Sequence, residues 1–337
     1  MKNRLRALAA TTVSVLITLF GLIVVTFFIG RVMPIDPIVA IVGDHAPPDV
    51  VARVSAELGL NRPLWYQFWV FLDHLVHLNL GRSVMTTHLV VNDIGRYFPA
   101  TFELATAAMI ISTIIGVPLG VIAAVRQGTR TDHIVRVISL AGASIPVFML
   151  AMISLVIFYG WLGWLPGTGQ NDVIYDGMVP RVTGMLVIDT LIAWDWGAFR
   201  DAVLHLAQPA LVLAYFSMAY ITRMTRGFML DALKGEYITT ARAKGLSATR
   251  IIWRHAFGNI WVQLITILAL TYAGLLEGAV VTETVFSWPG LGQYLTNSLL
   301  NADMNAVLGS TLVIGFIYVF LNLFCDILYK LLDPRVR

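Results

Sequence analysis

The chain has 337 residues, of which 58% are hydrophobic and only 13% are charged, and its formal net charge is +3. Its mean hydropathy of +0.77 is far above that of a soluble domain and argues against a water-soluble helical protein. A buried core helix of such a protein rarely stays nearly uncharged over the roughly 20 residues that a membrane span requires. The single cysteine, Cys325, excludes an intrachain disulfide.

Six apolar runs are long enough to cross about 30 Å of hydrocarbon as helices. The first run exceeds the apolar region of a cleaved signal peptide, usually about 7–15 residues, so we expect it to stay as an anchor. The sequence therefore predicts an all-α polytopic membrane protein. The predicted spans are residues 8–29, 104–125, 137–159, 204–221, 260–281 and 307–328.

The distribution of Lys and Arg predicts the orientation. With both termini in the cytoplasm, 16 of the 23 basic residues fall in inner segments and 7 in outer segments, and the opposite orientation would invert the positive-inside rule. We divide the chain into an N-terminal end with the first span (1–30), an external segment (31–103) and a core with five spans (104–337). The basic residues lack interleaved aromatics, so nucleic-acid binding is not expected.

Two external segments separate the early spans. In the first, Pro47-Pro48 before Asp49 predicts a helix start, with helix continuing to about residue 80. In the second, residues 160–203, the apolar run 183–192 is too short to span and is expected at the interface or against the external segment. Four tryptophans there fit an outer aromatic belt or the interior of a small external domain: Trp161, Trp164, Trp194 and Trp196.

The inner loop 222–259 contains a basic amphipathic pattern. Tyr237, Ile238 and Ala241 would form one apolar stripe of a short helix, which Gly245 is suited to end. A second short helix is predicted from Ser247 as N-cap to about Arg254. The pair would make a compact knob that fits a groove on a partner, or else a basic helix lying on anionic lipid.

Acidic residues and glycines within the spans are further candidates. Glu277 and Glu103 could line a pathway and meet a substrate ammonium group, or they could simply reach water near the interface. Glycines spaced by four residues, at 116 and 120 and at 274 and 278, allow close helix approach. For both pairs we favour packing within the chain over dimerisation.

No catalytic, cofactor or metal site is predicted. A P-loop needs Gly-Lys-Ser/Thr, and none of the four lysines follows a glycine. Zinc-protease and nucleophile-elbow motifs are also missing. Energy would therefore come from a partner or from an ion gradient, or would not be needed.

The inner-loop motif Glu236-Tyr-Ile-Thr-Thr-Ala-Arg-Ala-Lys-Gly-Leu246 resembles the coupling motif of the dipeptide/oligopeptide/nickel class of ABC-importer permeases. Other segments resemble the same family over essentially the whole chain. They begin at Met33-Pro-Ile-Asp-Pro37, Leu58-Gly-Leu, Leu80-Gly-Arg-Ser83, Phe98-Pro-Ala-Thr, Ser144-Ile-Pro, Arg223-Met-Thr-Arg226, Glu283-Thr-Val-Phe and Asp333-Pro-Arg. The sequence departs from the family at Ile35, Gly258 and Gln263, which stand for a usual Gly, Arg and Pro.

The resemblance implies a type I ABC-importer permease fold with six spans in a bacterial inner membrane. It implies that ATP and Mg²⁺ are bound by two partner ATPase subunits, and that a second permease subunit and a periplasmic or lipid-anchored binding protein complete the system. The residues that it assigns to ATPase coupling are Glu236, Tyr237, Ala241, Arg242, Lys244, Gly245, Leu246 and His255.

The substrate expectation rests on one insert. Residues 183–189 resemble the dipeptide subgroup more than the shorter nickel permeases, which favours di- and oligopeptides. Nickel chelates, opines and glutathione-like peptides are the alternatives. An ion-coupled secondary transporter is the alternative of another class, and it predicts more spans, repeat symmetry and broken helices at the midplane.

Overall fold

The computed structural model describes residues 2–32, 43, 45–57 and 61–332. Within these ranges the chain is helical and holds no strand, apart from an isolated bridge between Arg82 and Leu89. The predicted motifs at 33–37 and 333–337 lie outside the described residues, as do residues 58–60, which begin the motif at 58–64. The helices are α1 Lys2–Val32, α2 Pro48–Glu57, α3 Leu64–Val76, α4 Val90–Val125, α5 Arg130–Ser144, α6 Val147–Ser154, α7 Leu186–Ile192, α8 Trp196–Leu233, α9 Glu236–Ala243, α10 Ala248–Phe286, α11 Leu291–Leu300 and α12 Met304–Leu332.

Five of these helices are long and apolar enough to cross a membrane, which confirms five of the six predicted spans. Most are longer than predicted, because polar residues continue each helix beyond its apolar run. The helix of the second span begins at Val90, and that of the fourth begins at Trp196 and includes Pro209. The spanning stretches are Thr12–Arg31, Val90–Val125, Trp196–Leu233, Ala248–Phe286 and Met304–Cys325.

The predicted continuous span at 137–159 is wrong. The structure instead has two helical stretches, Arg130–Gly142 and Val147–Trp161, bent by 98° at a short break. Proline disfavours helical geometry in the residue before it, and Ile145 accordingly has extended angles, φ −90° and ψ 125°, in front of Pro146. The second stretch ends in a π-helical turn, Leu155–Trp161. The third predicted span is therefore a bent pair of helices, which raises the number of spans from five to six only if the pair crosses the membrane as one span.

The external helix predicted from residue 49 to about 80 is also wrong as a single element. Its start is confirmed, since Pro48 is the first residue of α2, but α2 ends at Glu57. A separate helix, α3, comes after Pro63 and extends from Leu64 to Val76. Proline fits the start of a helix, where its missing N–H is not needed, so Pro48 is the first residue of α2 and Pro63 is the N-cap of α3.

The chain forms two compact units. One comprises Met1–Pro99 and Gly290–Phe320, and its core includes Val90, Leu291 and Tyr294. The Tyr294 hydroxyl donates to the Asp93 carboxylate over 3.0 Å, and burial together with this carboxylate raises the pKa of Tyr294. This grouping follows contacts rather than topology, so the division at residues 30 and 103 remains a prediction.

The other unit comprises Ala100–Pro289 and Leu321–Arg337 and contains the inner loop. In it the buried Trp288 donates its indole N–H to the Ala100 carbonyl over 2.9 Å. The four candidate belt tryptophans also lie here, and each is at least 62% exposed. They are therefore not buried within this chain, and their place in an outer aromatic belt stays a prediction.

Candidate functional site

The short helix of the inner loop, α9, ends at a glycine as predicted. Gly245 has φ +74°, a left-handed conformation that glycine adopts without steric cost. The Gly245 amide donates to the Arg242 carbonyl over 2.9 Å, and the Leu246 amide donates to the Ala241 carbonyl over 3.2 Å. These two bonds form a Schellman motif, which fixes the direction in which the chain leaves the helix.

The apolar face of α9 packs on the ends of three membrane-spanning helices. Ile238 is 1% exposed and Ala241 is 6% exposed. They belong to one buried cluster, which we call the coupling core. It contains Val121 and Ala124 of α4, Met229 and Ala232 of α8, and Ile251, Ala256 and Ile260 of α10. A displacement of α9 would therefore be transmitted into a cluster that all three helices share, because packed interiors have few voids to absorb it.

A hydrogen-bonded tyrosine joins two of these helices through α9. The Tyr237 hydroxyl donates to the Ala232 carbonyl near the end of α8, over 2.9 Å. The Asn259 side-chain amide in α10 donates to the same hydroxyl over 3.0 Å. Tyr237 is 39% exposed, so it lies at the edge of the apolar stripe rather than within it.

The opposite face of α9 is open to a partner. Glu236, Arg242, Lys244 and Gly245 are exposed, and Leu246 and His255 are half-buried. Glu236 lies in the first turn and Arg242 in the last, where their charges suit the helix dipole. Of the predicted coupling residues, Glu236, Arg242, Lys244 and Gly245 are thus exposed on the knob, whereas Ala241 is buried in the coupling core.

The second short helix of the knob is not a separate element. Ala248 begins a helix that continues as the fifth span to Phe286, with a π-helical turn at Ile251–Phe257. It continues without a break through Gln263, where the family has proline. Ser247 occupies the N-cap position but makes no side-chain capping hydrogen bond. The chain after α9 therefore leads directly into the inner end of a spanning helix.

An ion pair that the sequence did not suggest anchors α5 to α8. Arg226 donates from Nε to Asp132 Oδ1 over 2.7 Å and from Nη2 to Asp132 Oδ2 over 2.8 Å. Asp132 is 1% exposed and also accepts from the Gly128 amide over 3.0 Å. Its only signal in the sequence was that Arg226 lies within a family-like motif.

Glu277 lies on an exposed face of α10. Leu270, Gly274, Glu277 and Val281 recur at helical spacing, and all four are exposed. A Cβ on Gly274 or Gly278 would meet nothing within 4 Å. The expectation that this glycine pair packs within the chain is therefore wrong, and the face has no cover from the described residues of this chain.

Glu103 has a different environment from the one expected. It is 6% exposed. Its helix begins at Val90 and not at residue 104, the predicted start of the span, so Glu103 lies within the helix rather than at its entry. Its carboxylate accepts from the amides of Leu186 and Val187 over 3.1 and 2.8 Å, at the N-terminus of α7. The structure thus buries Glu103 and gives it backbone amide partners instead of access to water.

A second buried carboxylate completes the environment of α7. Asp189 accepts from the amides of Thr183 and Gly184 over 2.7 and 3.0 Å. Asp189 thus closes the turn of the insert at 183–189 onto the start of α7, and Glu103 joins that start to the spanning helix α4. Among the described residues, no group of three or more His, Cys, Asp or Glu side chains is placed to hold a metal ion.

Comparison with known proteins identifies the family. Residues 116–337 match the family described as binding-protein-dependent transport system inner membrane component, and residues 4–105 match its N-terminal component. The chain is 40% identical over 321 residues to the di/tripeptide transport system permease protein DppB of Pseudomonas aeruginosa, covering 95% of each chain. It is 40% identical over 316 residues to a probable D,D-dipeptide transport system permease protein DdpB of Escherichia coli, covering 94% of this chain and 93% of that one. It is 37% identical over 322 residues to the dipeptide permease DppB of Escherichia coli, covering 95% of each.

Proposed function

Because the chain belongs to the inner membrane components of binding-protein-dependent transport systems, we propose that it forms half of a translocation path for small peptides and is driven through its inner loop by ATPase subunits. The observation that carries this proposal is the coupling core. There the buried face of α9 touches the ends of α4, α8 and α10, and its exposed face is open to a partner.

The path is proposed to lie against the exposed face of α10 that carries Glu277. A carboxylate within a span is costly when it faces lipid, so this face is better covered by water or by protein. The bare surfaces of Gly274 and Gly278 would let a second, homologous permease subunit approach closely. Glu277 would then attract the ammonium end that peptide substrates share.

The substrate assignment follows the relatives. The names of the similar proteins describe transport of di- and tripeptides, D,D-dipeptides and dipeptides. Small peptides are therefore proposed ahead of nickel chelates, opines and glutathione-like peptides. Selectivity would reside mainly in a periplasmic or lipid-anchored binding protein, which delivers the substrate to the outer side of the path.

The remaining partners follow from the same scheme. Two ATP-binding subunits would hold ATP and Mg²⁺ and hydrolyse the nucleotide, and this chain would contribute no catalytic group. Both termini and the loop 222–259 are proposed to be cytoplasmic, in agreement with the excess of Lys and Arg in inner segments. The ATPases would then meet α9 from the cytoplasm.

Charge reversal on the exposed face of α9 tests the coupling role. Glu236→Lys changes an exposed side chain in the first helical turn, so it should leave the coupling core intact. We expect fewer peptides transported per ATP hydrolysed, or weaker ATPase binding, in proteoliposomes containing the assembled transporter. Asp231→Lys, another exposed acid on the same loop, is the matched control and should behave as the wild type.

A second variant tests the backbone geometry of the knob. Gly245→Pro is incompatible with φ +74° and removes the amide that donates to Arg242. It should uncouple ATP hydrolysis from transport while the spans remain inserted. Normal transport with normal ATPase binding in both Gly245→Pro and Glu236→Lys would exclude α9 as the coupling element.

The path role is tested separately. Glu277→Gln should lower the uptake rate of all accepted peptides by a similar factor without re-ranking them, because the ammonium group is common to all. Competition among a panel of dipeptides measures the ranking, and exchanging the binding protein should change it instead. A new ranking in the Glu277→Gln strain would show that this subunit selects substrate directly.

A further inference from the structure

The helix α3, in the segment expected to be external, is apolar on nearly all sides. Its sequence from Leu64 to Val76 is LWYQFWVFLDHLV, and its only carboxylate is Asp73 near the C-terminal end. With 13 residues it is about 20 Å long, which is too short to cross the roughly 30 Å hydrocarbon core. Such a helix in water would be expected to bury its apolar faces against protein.

One face of α3 contacts the first span at a depth that belongs to the membrane. The Phe68 ring lies 6.3 Å from the Phe20 ring and 5.2 Å from the Phe27 ring, centroid to centroid, and Phe71 lies 5.6 Å from Phe27. The spanning stretch ends at Arg31. At 1.5 Å per residue, Phe27 lies about 6 Å and Phe20 about 16 Å inside that end. Phe68, which touches both, therefore lies at hydrocarbon depth.

A second face of α3, about 110° around the helix axis from Phe68 and Phe71, is uncovered. Trp65, Trp69 and Val76 are 72%, 68% and 78% exposed, and their spacing of four and eleven residues places them along one side of the helix. Arg62, just before the helix, lies over the Tyr66 ring at 5.9 Å. Trp, Tyr and Arg are the side chains that combine an apolar body with a polar or charged tip at the edge of a bilayer.

We propose that α3 is embedded in the outer leaflet, with Trp65 and Trp69 in contact with phospholipid. It would enter and leave the membrane on one side and extend the lipid-facing surface of the first span. This inference goes beyond the proposed transport function. It rests on that proposal only for the orientation of the chain, which decides that the leaflet is the outer one. Lipid is favoured over a protein partner because the exposed face continues the surface of a spanning helix at the same depth.

Spin-label accessibility in the assembled transporter, reconstituted in phospholipid nanodiscs, tests the proposal. Trp69→Cys and Trp65→Cys are each labelled with a nitroxide after Cys325, which is buried, has been replaced by serine. Collisions with oxygen, which partitions into lipid, are compared with collisions with a water-soluble nickel complex. Ala56→Cys on α2, an exposed position, serves as the aqueous control.

At positions 65 and 69 the oxygen-to-nickel collision ratio should exceed that at position 56 several-fold. A ratio equal to that at position 56 would place α3 in periplasmic water and overturn the proposal. Low collision rates with both reagents would show that protein covers this face and would equally overturn it. Because two sites are labelled, the test remains decisive if one variant fails to fold. The collision ratios do not depend on whether peptides are the substrate.

Discussion

Replacing Gly120 by alanine is expected to destabilise the chain, whereas the same change at Gly278 should not. A Cβ on Gly120 would lie 2.7 Å from the Thr222 carbonyl oxygen and 2.7 Å from the Thr225 Cβ, both in α8. The Thr222 hydroxyl also donates to the Gly116 carbonyl over 3.1 Å, so the two helices are tied together one turn away. Backbone atoms cannot yield as a flexible side chain can, and the helices would have to separate.

The expected changes in the free energy of unfolding have opposite signs for the two variants. Inserting a methyl group into a packed site costs about 1–3 kcal/mol, and the backbone clash at Gly120 places this variant in the upper part of that range. Alanine gains about 0.5–1 kcal/mol over glycine in a helix interior, which offsets part of the cost at Gly120 and is the whole effect at Gly278. We therefore expect Gly120→Ala to lose about 2 kcal/mol of unfolding free energy and Gly278→Ala to gain up to about 1 kcal/mol.

The single buried cysteine provides the assay. A dye that fluoresces on reaction with thiols reports thermal unfolding when Cys325, 4% exposed in the folded chain, becomes accessible. The apparent unfolding temperature of the purified chain should fall for Gly120→Ala and remain or rise for Gly278→Ala. Association with the second permease subunit should show the opposite order. Gly278→Ala should weaken it more than Gly120→Ala, since Gly278 lies on the face proposed to meet that subunit.

Two results would refute this reasoning. Equal unfolding temperatures for Gly120→Ala and the wild type would show that α4 and α8 do not approach as closely as the structure indicates. A Gly278→Ala chain that is destabilised when purified alone would show that this face packs against the chain itself.

Three further predictions concern other contacts. Glu103→Ala should lower the free energy of unfolding by about 1–3 kcal/mol, because two amides at the start of α7 lose a buried acceptor. The thiol-dye assay should show this as a lower unfolding temperature. An unfolding temperature equal to that of the wild type would contradict the capping role. Arg226→Lys should lose about 1–2 kcal/mol, because lysine cannot make the bidentate pair, whereas the same change at the exposed Arg223 should have little effect in that assay. An impermeant maleimide added to the outside of cells should label a single cysteine at position 55 and should not label one at position 248. The opposite pattern would overturn the proposed topology.

Local rules in the sequence were sufficient for some elements. The end of α9 followed from Gly245, because the turn after the helix needs a left-handed backbone conformation, which glycine adopts without steric cost. The start of α2 followed from Pro48 in the same way. Five spans followed from hydropathy, which depends on composition and not on distant contacts.

The remaining features depend on partners far away in the chain. Glu103 was predicted to be able to reach water, because the residues next to it in the sequence put it at the start of a span. The amides that bind it lie 83 and 84 residues away in the chain. The Asp132 and Arg226 pair is separated by 94 residues. The break at Pro146 was missed for another reason: apolar residues flank it on both sides, so the hydropathy of the run does not register the change of direction.

The two faces of α9 divide the inner loop into parts that could be exchanged independently between permeases. Ile238 and Ala241 fit the ends of the helices of this chain, so a transplanted helix would have to keep them or bring its own spans along. The positions Glu236 and Arg242 are exposed and are not members of that core, so they could be substituted separately. Under the proposed coupling role, a permease could thereby be matched to a different ATPase without a change to its path, and the outer face of α9 would be the place to engineer orthogonal transporter pairs within one cell.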